Sequence, residues 1–497
     1  MTQRQRAIAM LGVLVTLVLA VLDQNIVSTA SWAIVRDLDP VHGLERLPWL
    51  VSAYALAATA ALPLYGKLCD VHGAKRVYLG ALGAFLAGSA LCGLAQDMAQ
   101  LIAARSLQGL GGGGLMSVTL VVAAHLTPPR QRAAAGGAGG LLAGLGLVAG
   151  PLLGGAFTDH AGWRWIFLVN LPAGLLVLVS AALVIRLDDG GRRPPDRPGI
   201  DYPGAALVAA ASVLLLLVVE WGGGTYAWGS PVMLGLVALD VLLFAAFAVR
   251  QLTAAEPVMP LTLFRDPTLR VALPLQFLTG FGMAGGLLYT VIYLQAALGI
   301  AATESGLYLV PMAAGMVLSG AVSGVLIARG AAPKPFLVAG TALMAGAMAL
   351  MGLLRSGTSP WTLRLDLLLL GAGLGLVLGI VIMLVQNAAP PERLGVATTA
   401  VRFVQVLGSA LGTAVFGVVL TRVTEARLPP GVTAGDLSRA GDLAPGLRQR
   451  LVDALVSGVD AVFVTGAAVM GLALLLAVLL RTPEAAAEPP PPVRVPA

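Results

Sequence analysis

The sequence predicts an all-α membrane protein that crosses the bilayer fourteen times, and three observations carry that prediction. Apolar residues make up 58% of the 497-residue chain and charged residues only 11%, whereas soluble domains carry about 25% charged residues. Apolar stretches of about 20 residues, the length of helix that crosses a hydrocarbon core, recur along almost the whole chain. Basic side chains gather at the ends of these stretches and on one side. With the N-terminus inside, the inner segments hold 19 Lys and Arg and the short outer loops five, so both termini are assigned to the cytoplasm.

The elements follow in order. The first span starts near Ile8; its basic start resembles a secretion signal, but no small-residue cleavage site follows, so it reads as an uncleaved helix. Five more start near Pro48, Val77, Ala99, Ala133 and Trp165, completing a six-helix unit over residues 1–186. A basic linker from Leu187 to Asp201 leads to two helices starting near Pro203 and Pro231, and a second linker runs from Arg250 to Arg270, so that 187–270 form an insert. Six further helices, starting near Val271, Thr303, Pro335, Leu365, Leu394 and Ala461, make a second unit over 271–481, with a long outer loop at about 423–457. The tail, 482–497, contains Pro489 to Pro492 and reads as a disordered cytoplasmic segment. A weak echo between Gly66–Gly73 and Gly324–Gly330 fits two related bundles.

The 62 glycines allow close helix packing. The net charge of +6 belongs to the loops and is no nucleic-acid footprint. Two cysteines and four scattered histidines offer no metal site, and no phosphate-binding loop of the Gly-x-x-x-x-Gly-Lys type is present, so no cofactor is expected. The chemistry lies in a few charges inside the spans. Asp23 interrupts an uncharged run, and a carboxylate at that depth costs about 2.5–3.5 kcal/mol on insertion scales. By helical rise Asp23 lies roughly 14 Å, and Arg105 roughly 9 Å, below the outer surface, so the guanidinium can reach the carboxylate. Pairing holds the acid ionised and separation favours its protonation. A proton-coupling pair and a permanent structural pair both satisfy the spacing. Asp240 lies mid-span in the insert, and Arg402 lies about eight residues into the thirteenth span, to snorkel or to meet substrate.

Several motifs resemble the major facilitator superfamily, in particular its fourteen-helix drug:proton antiporters. Leu22-Asp23-Gln24-Asn25-Ile26-Val27 is similar to the helix-one motif of that branch, and Gly66 to Arg76 looks like the superfamily's loop 2–3 signature. Arg105 to Gly112 resembles the helix-four motif of proton-driven members, and Gly146 to Gly155 the helix-five antiporter signature. Trp163 to Asn170, Trp221 to Trp228, and Tyr293-Leu294-Gln295 with Gly306 and Pro311 match the same branch, and Arg402 to Gly408 resembles a second-half family motif. The resemblance covers about Ile8 to Arg481 and implies two six-helix bundles plus two inserted helices. It implies Asp23 and Arg105 for proton coupling, and a latch of Gly66, Asp70, Lys75 and Arg76. It further implies a bundle-interface hinge of Gly146, Gly150, Pro151, Gly154 and Gly155, and cavity candidates Asn25, Trp32, Gln108, Tyr293, Gln295 and Arg402. Asp240 falls on an inserted helix, where local pairing is the simpler reading.

Three positions depart from the family pattern: Asn25 replaces a threonine, Ser31-Trp32 a Leu-Pro pair, and Ala74 an arginine, which thins the latch's charge network. The implied activity is non-enzymatic export of a small lipophilic or cationic compound in exchange for protons, by a monomer in the bacterial cytoplasmic (inner) membrane. Export of a lipid or an endogenous metabolite is the alternative. A membrane enzyme or sensor would need a catalytic cluster or a soluble output domain, and the sequence offers neither.

Overall fold

The computed structural model describes residues 2–39, 43–128, 132, 150, 153–158, 160–187, 199–223, 225–300, 302–355, 358–428 and 445–480. Fifteen α-helices carry the fold among them: α1 Gln3–Leu38, α2 Gly43–His72, α3 Ala74–Leu94, α4 Met98–Leu126, α5 Trp165–Leu168, α6 Asn170–Val184, α7 Tyr202–Trp221, α8 Pro231–Thr253, α9 Pro267–Ile292, α10 Ala302–Tyr308, α11 Val310–Ala328, α12 Pro333–Met351, α13 Pro360–Ala388, α14 Leu394–Arg427 and α15 Pro445–Leu479. Among the described residues thirteen helical segments are long and apolar enough to cross a membrane. The segment expected as the fifth span, 133–149, lies outside the described residues, as do most of the 187–201 linker and the tail from 481.

Local chemistry sets the helix ends. Thr2 opens α1 through a reciprocal pair of bonds with Gln5. Asp97 caps α4 and Asp266 caps α9 by accepting from backbone N–H groups in the first turn. Proline occupies the first turn of α8, α9, α12 and α13, where its missing N–H costs nothing. Between α2 and α3 the chain turns at Gly73, whose φ of 87° suits a residue without a side chain.

Helices α1 to α4 with α6 form one bundle, and α9 with α11 to α15 form another. In the first, α4 is the central rod. Its Gly109 and Gly113 lie against the Tyr54 and Ala58 carbonyls of α2, and Gly111 lies against Phe85 of α3, so the glycine run works as a packing surface. In the second, α9 and α14 cross at Gly280, Gly408 and Gly412, and α11 meets α13 at Gly315, Gly371 and Gly375. The α7–α8 hairpin is held by Arg250 Nε donating to Asp201 Oδ1 at 2.9 Å, and α7 packs on both α2 and α14, beside the seam between bundles. Helix α8 leaves Leu234, Leu242 and Leu252 exposed, as a lipid-facing helix does.

Two boundaries differ from expectation. The final helix begins at Pro445 instead of near Ala461, and α14 runs on to Arg427, so helix enters both ends of the segment expected as a loop over 423–457. The polar extensions are stabilised by packing on each other, with Gly458 seated against Leu420 and Thr424, which hydropathy does not register.

Candidate functional site

The core of the second bundle is one continuous apolar cluster, whereas the first bundle has two. One contains Val13, Tyr78, Phe85, Leu115 and Val177; the other contains Ile34, Leu50, Leu101 and Phe167. A layer of polar side chains separates them. Asp23 Oδ2 accepts from Arg105 Nη1 at 2.7 Å, and Asp23 Oδ1 accepts from Gln108 Nε2 at 2.7 Å and Asn170 Nδ2 at 3.0 Å. Arg105 Nη1 also donates to Gln108 Oε1 at 2.8 Å, and its Nε donates to the Leu50 carbonyl at 3.2 Å. Both Gln108 and Asn170 reach Ser89 Oγ, which donates to the Phe167 carbonyl. The guanidinium carbon lies 4.3 Å from the centre of the Tyr54 ring.

This is a closed arrangement. Asp23 and Arg105 are each 1% exposed, so the pair is desolvated and depends on its full set of donors. Among the described residues three donors and no acceptor face the carboxylate.

A second polar contact joins the bundles at the end carrying the α2–α3 turn. Asp70, in the last turn of α2, accepts from Gly395 N at 2.7 Å and Val396 N at 3.0 Å, two otherwise unpaired N–H groups at the start of α14. Gly66 makes the approach possible: a side chain there would run into Thr399, Val396 and the Gly395 carbonyl. Lys67 Nζ donates to Glu256 Oε2 at 2.6 Å, fastening α2 to the linker after α8. Arg132 donates to the Gln386 carbonyl and Asn387 Oδ1, and Gln386 Nε2 donates to the Leu120 carbonyl of α4. A cavity of about 500 Å³ opens beside these contacts between α1, α4 and α13, away from Asp23. At the opposite end of the first bundle, Asp37 accepts from Trp163 Nε1 at 3.0 Å and Arg164 Nη1 at 2.7 Å, and these two bonds hold its carboxyl below the usual carboxylate range.

The sequence profile described as Major Facilitator Superfamily matches residues 13–413. The chain belongs to the major facilitator superfamily. It is 36% identical over 478 residues to an MFS-type transporter of Mycobacterium tuberculosis, covering 95% of this chain and 68% of the relative. It is 33% identical over 436 residues to the tetracenomycin C resistance and export protein of Streptomyces glaucescens, covering 87% and 79%. The fold resembles that of the human organic anion transporter MFSD10, with a TM-score of 0.64 at 17% identity, covering 95% of this chain and 99% of that one. The chain is thus a multi-pass membrane transporter of this superfamily.

The superfamily motifs divide sharply in three dimensions. Asp23 and Arg105 meet, as their depths require. Gln108 joins them and is fully buried, so it orients the pair instead of lining a cavity. Asp70 and Gly66 meet the other bundle, but Lys75 does not: its Nζ donates to the Ala182 carbonyl of α6, within its own bundle, and Arg76 is exposed. Lys67, near the end of α2, is the cation of this motif that leaves its bundle. Tyr293 is 1% exposed, and its hydroxyl donates to the Arg355 carbonyl at 2.8 Å, so it closes the end of the second bundle instead of facing a cavity. Gln295 lies exposed in the π-helical turn Tyr293–Ala297. Asp240 is buried on α8, with Oδ1 unpartnered among the described residues, far along the peripheral hairpin. Gly150 and Gly154 are buried and Gly155 is half-buried; Gly146 and Pro151, with the side chains of Asn25 and Trp32, lie outside the described residues.

Sequence reasoning missed two members of the polar layer. Asn170 was legible as the polar residue ending the Trp163–Asn170 motif, directly before an apolar span. Ser89 carried no signal, because small hydroxyls are common packing residues in membrane helices.

Proposed function

We propose that this transporter exports lipophilic small molecules in exchange for protons by alternating access, as a monomer of the fourteen-helix drug:proton branch in a bacterial cytoplasmic membrane. Both termini are cytoplasmic on this reading. The observation that carries the reading is the Asp23 carboxylate, buried in the membrane interior and held by Arg105, Gln108 and Asn170. A relative named for resistance and export supports the direction of transport.

With the α2–α3 end assigned to the cytoplasm, the Asp70–α14 contact closes the inner side, which is one half of an alternating cycle. Helix α4 connects the two regions. It carries Arg105 and Gln108, and some 12–15 residues further along, roughly 18–22 Å, its Leu120 carbonyl accepts from Gln386 of the other bundle. A proton arriving from outside neutralises Asp23 and frees Arg105; α4 shifts, and the inner contacts at Leu120 and Asp70 loosen. Substrate then enters from the cytoplasmic side and Asp23 loses its proton there. Re-formation of the ion pair restores the closed inner end.

The test is drug accumulation in cells and inside-out vesicles energised by a pH gradient, comparing the wild type with Asp23→Asn. The variant should abolish gradient-driven transport while retaining substrate binding. Transport by Asp23→Asn at the wild-type rate contradicts the proposal.

A further inference from the structure

We propose that the cavity between α1, α4 and α13 binds an anionic phospholipid of the phosphatidylglycerol kind, with an acyl chain in the cavity and the phosphate between Arg6 and Arg132. The inference does not depend on the exporter reading above.

The walls come from both bundles and enclose about 500 Å³, within the size range of small-molecule sites. On α1, Gln3, Arg6, Met10, Val13 and Leu17 line the cavity at steps of three and four residues. One face of the helix therefore forms a wall roughly 21 Å long. Helix α4 adds Leu120 and Ala123, and α13 adds Ile382. The deep part is apolar, and the two arginines stand at the end assigned to the cytoplasm. This is the layout of an inner-leaflet lipid, with its head at the surface and its chain running into the membrane. Ile8 and Leu11, on the adjoining face of α1, are exposed, which puts α1 at the border with lipid.

Charge at the mouth decides which lipid fits. Arg132 donates through Nη1 to the Gln386 carbonyl at 3.0 Å and Asn387 Oδ1 at 2.9 Å, and through Nη2 to the Ala124 carbonyl at 3.2 Å. Its Nε is buried with no partner among the described residues. All three acceptors are neutral, so they hold the guanidinium in place without balancing its charge. Arg6 is exposed, and no ion pair reaches either arginine among the described residues.

No acid lines the cavity among the described residues. Asp23 lies roughly 9 Å along α1 beyond Leu17 and is paired with Arg105, and Asp366 lies roughly 24 Å along α13 from Ile382. Asp70 is held by the N–H groups of Gly395 and Val396, and Glu256 by Lys67. Arg402, the other interior arginine, is not part of the lining and donates to Gln405 Oε1 on its own helix. A phosphodiester with one net negative charge supplies the missing counter-ion and accepts from both guanidiniums. A zwitterionic lipid would bring its own ammonium up to two cations. Basic pockets between transmembrane helices at the cytoplasmic side suit anionic headgroups for this reason.

The test titrates delipidated full-length protein in a neutral detergent with phosphatidylglycerol or phosphatidylcholine of the same chains, and counts bound lipid by native mass spectrometry. The wild type should bind phosphatidylglycerol about thirtyfold more tightly than phosphatidylcholine, the scale of two basic residues beside an anionic head. Arg6→Gln should lower that preference about fivefold. Adding Arg132→Gln should remove it, and Arg6→Lys alone should keep most of it. Arg4→Gln takes the same charge from α1 outside the lining and should change nothing. Ala123→Phe, which fills part of the cavity and leaves both arginines in place, should weaken phosphatidylglycerol binding. Glycerol 3-phosphate, a phosphate head without a chain, should not displace the lipid at equal concentration. Equal affinity for the two lipids, a preference that survives in the Arg6→Gln, Arg132→Gln protein, or an equal loss in Arg4→Gln overturns the inference. So does undiminished binding by Ala123→Phe, or displacement by glycerol 3-phosphate.

Discussion

The two bundles share an architecture and differ at mid-depth. In the first, a layer of five polar side chains, Asp23, Ser89, Arg105, Gln108 and Asn170, divides the apolar core in two, and its hydrogen bonds are mutually satisfied. In the second, α9 and α14 pack backbone to backbone through Gly280, Gly408 and Gly412, and the apolar cluster runs on without a break. The difference assigns work. On the proposed reading the buried ion pair supplies the switch, and the glycine-seamed bundle supplies the body it moves against. Gln276 marks the contrast from the other side: it is fully buried in the second bundle with both amide atoms unpartnered among the described residues.

The largest expected effect comes from breaking the layer asymmetrically. Arg105→Ala leaves the Asp23 carboxylate buried without its cation and should cost about 3–5 kcal/mol, read as thermal unfolding of the purified protein. Replacing both partners together, as in Asp23→Leu with Arg105→Met, should cost much less. An equal cost for the single and the double change would erase the distinction between the bundles.

The contact between the bundles comes next. Gly66→Leu puts a side chain into the α2–α14 crossing, and overpacking of this kind costs about 1–3 kcal/mol. The contact at the α2–α3 end should yield first, so a cysteine placed near Gly395 should react faster with a water-soluble maleimide. Asp70→Asn keeps the shape but removes the charge facing the start of α14, a loss of up to about 2 kcal/mol. Its effect on the same labelling should have the same sign and be smaller.

The smallest effect is at Asp37. Its carboxyl is held below the ordinary range by Trp163 and Arg164, so its contribution to the α1–α5 corner is present above the unfolded-state value and is lost as pH falls below about 4. Local hydrogen exchange at that corner should rise on acidification, and Asp37→Asn should remove the dependence.

How much was legible depended on whether a residue's partner is dictated by depth. Asp23 and Arg105 are isolated charges in apolar helices, and counting residues from the helix ends brings them together before any fold is known. Asp70 was legible for a similar reason, being an acid at a helix end beside a second bundle. Lys67, Lys75 and Arg76 were not separable, because three cations close together around one tight turn carry no record of which way each side chain turns; only the backbone path sends Lys75 to Ala182 and Lys67 to Glu256. Tyr293 belongs to a motif whose order along the chain was readable but whose use as a bundle-end hydrogen bond was not. The extensions of α14 and α15 escaped notice because hydropathy sees the membrane part of a helix and not the part that packs beyond it.

The central claim is that Asp23 carries the proton. It is tested most directly by following substrate-induced proton release from the purified protein in weakly buffered detergent solution, with a pH-sensitive dye. The wild type should release protons when a transported compound is added, and Asp23→Asn should bind the same compound and release none. Proton release of equal size from Asp23→Asn would place the coupling elsewhere and contradict the account.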